Sequence, residues 1–96
     1  MLDKENIMLC WQALSVHGLI NQMYMTVEEC AELIKSICKV RRDDGHVTDQ
    51  HDEDFREELV DVIVMAEQMR LMLKMDMDEV NRRAKAKLER ALQDGQ

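Results

Sequence analysis

Apolar residues recur at helical spacing along nearly the whole chain, and four helical segments follow from that pattern. The first is expected from about Asp3 to Val16, with Ile7, Met8, Trp11 and Leu14 on one face. The second is expected from about Asn21 to Arg42. Its apolar stripe is Met23, Val27, Cys30, Ile34, Ile37 and Cys38, and Gly18 separates it from the first. Asp43-Asp44-Gly45 is expected to end it, with a polar loop continuing to about His51. A third helix starts near Asp52 to Asp54 and runs to about Leu73. The fourth opens where Asp76 can cap and Glu79 can sit at N3, and ends near Gln93. Short connections make consecutive helices antiparallel neighbours, so an all-α four-helix bundle is the expected fold. Its apolar faces are broad for so short a chain, which predicts a homodimer or homotetramer.

Composition narrows the class further. The 96 residues include no proline, three glycines and three aromatic rings, too little turn and strand chemistry for a sandwich or barrel. The length suits one domain, residues 1–96. Residues Ile7 to Val27 carry no charged side chain, but Gln12, Ser15, His17, Asn21 and Gln22 make that stretch too polar for hydrocarbon, so no membrane partner is expected. A net charge of −7 argues against nucleic acid, which needs a basic face. Cys10, Cys30 and Cys38 are odd in number, and the last two fall on one helix about 12 Å apart. Reduced thiols and a cytoplasmic location are the matching expectations.

The negative charge is concentrated. From Asp43 to Asp61 nine acids stand against Arg56 alone, a local −8. Within and beside this segment lies a repeated pattern: Glu29 and Glu32 as E-x-x-E, then Glu58 and Asp61 as E-x-x-D. Three-residue spacing puts each pair on one helical face, and antiparallel packing can bring the pairs together. Surface acids on helices usually have a basic partner one turn away. None of these four has Lys or Arg four residues off, and only Glu32 has one, Lys35, at three. Asp61 moreover sits inside Leu59-Val60-Asp61-Val62-Ile63-Val64, where an unpaired charge is costly. The four carboxylates are therefore candidate metal ligands. No Glu here has His three residues on, so the set favours Mg²⁺, with Mn²⁺ possible, and Mg²⁺ in such sites binds substrate phosphates.

With 25 residues between E-x-x-E and E-x-x-D, the chain resembles the MazG-like group of all-α nucleoside triphosphate pyrophosphohydrolases, in its small single-domain form. The resemblance also covers Gly18-x-x-x-Gln22, Glu28-Glu29-x-x-Glu32-Leu33 and Lys87-Leu88-x-Arg90. Larger members carry Asn-x-Lys-Phe-x-Arg-Arg at the last of these; this chain has Lys85, Lys87, Leu88, Arg90 and Ala91. What the resemblance implies is cleavage of a nucleoside triphosphate to a monophosphate and pyrophosphate. Glu29, Glu32, Glu58 and Asp61 take the family's metal-ligand places, while Lys87 and Arg90 take places that contact phosphates. Gln22 becomes a candidate for reading the base. Glu29 or Glu32 is the expected acceptor of the attacking water's proton.

Other readings are weaker on the residues. Trp11 is expected in the core, and Met65, Met69, Met72, Met75 and Met77 as core and interface filler. His46, Asp49, His51 and Asp52 read as a solvated loop. The competing function is a non-catalytic helical dimerisation or regulatory module, with its acids serving solubility only; the missing basic neighbours count against it.

Overall fold

The computed structural model describes residues 1–42 and 48–94. It contains four helices: α1 (Lys4–His17), α2 (Leu19–Arg42), α3 (Asp49–Met72) and α4 (Met77–Gln93). Among the described residues there is no strand, and no helix is long and apolar enough to cross a membrane. Local chemistry explains the boundaries. Asp3 caps α1 by accepting from the Asn6 N–H at 2.9 Å, Thr48 caps α3 by accepting from His51, and Asp76 caps α4 by accepting from Glu79 at 2.8 Å. Gly18, at φ +84°, breaks the chain between α1 and α2, a conformation that costs other residues more. Asp49, His51 and Asp52 belong to the first turn of α3, so the expected loop is shorter at that end. Thr48 supplies the cap that starts it early. Asp43 to Gly45 and His46 lie outside the described residues.

The packing departs from the simplest reading of the hydrophobic pattern. α2 lies along α3, and α1 crosses both. Yet the apolar stripe of α2 is turned outward: Met23, Val27, Ile34 and Ile37 are all exposed, Val27 at 68%. The face of α2 that is turned inward carries Gln22, Thr26, Glu29, Leu33, Ser36 and Val40, and every one of these is buried or half-buried. Trp11, expected in the core, is 49% exposed. The reason is the same for both: the interior of a single chain is small, formed by Cys10, Leu14 and Leu71 with Leu2 and Ile7 packed against them. Three helices cannot cover every apolar face that the sequence provides. α4 makes no close backbone approach to α1, α2 or α3.

Charge is also used structurally, at a place the spacing did not single out. The Glu67 side chain is wholly buried and accepts from the Leu2 N–H at 2.9 Å and from Arg70. Arg70 in turn donates to the Met75 carbonyl at 2.7 Å, tying the end of α3 to the turn before α4. Burial pushes the Glu67 carboxyl up, but Arg70 and the Leu2 N–H outweigh it and hold it below its ordinary value. Because the folded carboxyl is the stronger acid, this contribution is fully present above the unfolded carboxylate range and is lost as pH falls from there through the lower, folded pKa. Glu67→Ala leaves Arg70 without its partner and is expected to cost about 3–5 kcal/mol. Urea unfolding at neutral pH checks it, and the difference from wild type should shrink toward pH 3.

Candidate functional site

The inward polar face of α2 meets α3 in one register. Gln22 Nε2 donates to Gln68 Oε1 at 2.6 Å, and both side chains are buried. Seven residues further along α2 is Glu29; seven residues back along α3 is Asp61. The two match again, for Glu29, Glu58 and Asp61 have carboxylate oxygens within 4.8 Å of one another. Two helical turns, about 10.5 Å, separate the amide pair from the carboxylate cluster. The spacing reading of E-x-x-E against E-x-x-D therefore describes a real convergence for three of the four acids.

Glu32 stands at the edge of this group. Its side chain is half-exposed and pairs with Lys35 at 3.4 Å. It is still close enough to push the carboxyls of Glu29 and Glu58 upward. Glu29 is raised first by desolvation, then by Asp61 and Glu58, and a proton can be shared between it and Asp61. Glu58 is raised by desolvation, then by Asp61 and Glu32. Among the described residues no Lys, Arg or His forms an ion pair with Glu29, Glu58 or Asp61. Oxygen ligands at 2.0–2.6 Å around a hard cation lie about 3–5 Å apart, so the cluster fits a divalent ion with little rearrangement. It does not fit a structural ion pair, since the opposing charge is missing.

The remaining candidates are dispersed. Gln22 is 6% exposed and lines a cavity of about 540 Å³ together with His17, Asn21, Tyr24, Glu28 and Met65. That volume lies within the range of small-molecule sites, and Gln22 and Glu28 both line it from α2. Lys87 and Arg90 are exposed on α4. Arg83 pairs with Glu79 at 2.9 Å and Lys85 reaches Glu89 at 4.0 Å, whereas Lys87 and Arg90 form no ion pair among the described residues. The Asp94 partner available to Arg90 by spacing is not used. Cys10, Cys30 and Cys38 are all free thiols.

Sequence spacing missed Gln68 as the partner of Gln22. The available signal was a polar amide, Gln68, standing between Met65 and Met69 on α3, which helical periodicity alone does not interpret. A family model described as the MazG nucleotide pyrophosphohydrolase domain matches residues 18–93. No curated protein and no solved structure matches the chain.

The raised carboxyls give a prediction with a definite sign. A folded pKa above the unfolded value favours the fold below the unfolded pKa, and that contribution is lost as pH rises through the folded one. At neutral pH the metal-free cluster therefore opposes folding. Glu29→Gln is expected to raise the metal-free melting temperature, by about 4 °C, while abolishing the further rise that millimolar Mg²⁺ or Mn²⁺ gives the wild type. Differential scanning fluorimetry with and without metal reads both effects.

Proposed function

We propose, for a chain that belongs to the MazG nucleotide pyrophosphohydrolase family, Mg²⁺-dependent hydrolysis of a (deoxy)nucleoside triphosphate to the monophosphate and pyrophosphate. The observation that carries this reading is the cluster of Glu29, Glu58 and Asp61, three carboxylates in the α2–α3 seam without a basic partner. Mg²⁺, or Mn²⁺ in its place, held by these residues with Glu32 beside them, supplies charge screening for the phosphates. The role served is removal of unwanted nucleotides from the pool.

The chain's own residues do the rest. A carboxylate takes a proton from the water that attacks the α-phosphorus in line. The bond from that phosphorus to the oxygen bridging to the β-phosphate breaks, and pyrophosphate leaves with that oxygen. Glu29 or Glu32 takes the proton-accepting role, whichever is not fully engaged with the ion, and Glu32 stands at the edge of the cluster. Lys87 and Arg90 neutralise phosphate oxygens. Gln22, oriented by Gln68, lines the cavity that receives the nucleoside end. Cavity and carboxylates share α2, so one nucleotide can reach both. The net charge of −7 leaves nucleic acid out of the reading, and single nucleotides are the substrates.

A panel of standard and modified nucleoside triphosphates with Mg²⁺, scored for pyrophosphate against orthophosphate, tests the bond cleaved. Pyrophosphate is the expected product, and orthophosphate as sole product rejects the reading. Glu58→Gln and Asp61→Asn should each lower kcat by about 100-fold or more, beyond the roughly 10–100-fold that loss of an outer-shell partner costs, with helicity by circular dichroism unchanged.

A further inference from the structure

The amide pair beside the cavity of about 540 Å³ has a fixed polarity, and Met65 sets it. Gln68 lies between Met65 and Gln22. Its Nε2 faces the Met65 sulfur at 3.8 Å, and a thioether has no hydrogen to give. The end of Gln68 turned to Met65 is therefore its amino end, which leaves Oε1 toward Gln22. Gln22 must then donate, and its Nε2 does so at 2.6 Å. The consequence falls on the other end of the Gln22 amide. Its Oε1 has no partner among the described residues and is not sealed from the cavity, although the residue is only 6% exposed. A carbonyl oxygen held so deep is costly to leave without a donor.

Two neighbours on the same wall have the same character. Asn21 Nδ2 donates to the His17 carbonyl at the end of α1, at 2.8 Å, so Oδ1 is the end of that amide left over. Glu28 offers carboxylate oxygens, which accept only when ionised. His17 and Tyr24 are exposed and can give or take a hydrogen bond. The wall is thus short of donors and rich in acceptors.

We infer that this cavity selects a nucleobase with an exocyclic amino group, as in adenine, cytosine and guanine, over thymine and uracil. Gln22 Oε1 accepts from the amino group, and Gln68 is a positioning residue that acts through Gln22. Thymine and uracil carry the acceptor O4 where cytosine carries its N4 donor. Their ring N3–H lies between two carbonyls, so turning it to the wall sets acceptors against acceptors. A site built around a hydrogen bond rejects the analogue that lacks it, because its own buried group is then left unpaired. The inference rests on the nucleotide reading for the class of ligand, but the polarity of the amide pair is independent of it.

Turnover with Mg²⁺ of two matched pairs, dCTP against dUTP and dATP against dITP, reads the preference. Each pair exchanges an amino group for oxygen at one ring carbon. The amino member is expected to have the higher kcat/KM, by about 10-fold or more. Equal values, or preference for the oxygen member, overturn the inference and leave pyrophosphate release intact. Should no triphosphate be hydrolysed, calorimetric binding of dCMP and dAMP against dUMP and dIMP reads the same preference. Tighter binding of the amino members then counts against the reaction alone, and equal or undetectable binding against the inference. Gln68→Met keeps the length and removes the oxygen, which frees Gln22 to turn its Nε2 to the cavity. The ratio within each pair is expected to fall toward one, and Gln68→Glu, which keeps an oxygen against Gln22, to retain it. A Gln68 that only supports the fold would slow both members alike, so an unchanged ratio in Gln68→Met refutes its positioning role.

Discussion

Everything in this molecule turns on a helix pair whose shared face is polar. α2 and α3 meet through Gln22 and Gln68 at one end and through Glu29, Glu58 and Asp61 two turns away. Burying such groups between helices is unfavourable unless each finds a partner. The amides do: they bond each other at 2.6 Å. The carboxylates do not, and they raise one another instead. One register serves both, so the amide pair acts as the fixed point from which the acids are aligned.

This constraint explains why helix positions were legible in the sequence and helix faces were not. Breaks and caps are local chemistry: Gly18 at positive φ, and Asp76 with Glu79, need no knowledge of neighbours. Which face of α2 turns inward is a tertiary question. Periodicity assigns the interior to Met23, Val27 and Ile34, because apolar side chains are cheapest to bury in a single chain. In fact that stripe is exposed, and the inner face is Gln22, Thr26, Glu29, Leu33 and Ser36. The carboxylate spacing pointed to the right face, since E-x-x-E against E-x-x-D has meaning only if those residues converge. Two patterns on one helix competed, and the one tied to chemistry described the packing.

The environments of the individual acids have the same origin. Glu29, Glu58 and Asp61 could be picked by spacing and by the lack of basic neighbours, because both are properties of one or two helices. Glu32 shares the spacing, but Lys35 one turn on pairs with it, and this draws its carboxylate outward. Glu67 illustrates the converse. It has Arg70 at the same three-residue offset, yet it is wholly buried and gains the Leu2 N–H as a second donor. The difference lies in what packs over each position, since α1 covers the α3 end that carries Glu67. Equal local sequence features thus give opposite environments, and only the assembled helices separate them.

A cluster that opposes its own fold has to be held by something else. The Gln22–Gln68 bond performs that task two turns away, joining α2 to α3 through side chains that are not part of the cluster. The Cys10, Leu14 and Leu71 core adds to it from α1. Repulsion among Glu29, Glu58 and Asp61 can then persist without separating the helices, because closure is secured elsewhere. Repulsion maintained in this way is also what makes a hard dication bind. Releasing it on binding adds to the attraction, whereas acids already neutralised by lysine or arginine would have to give up those partners first. The absence of basic neighbours, read at the outset as a gap in the sequence pattern, is thereby a physical requirement of the site.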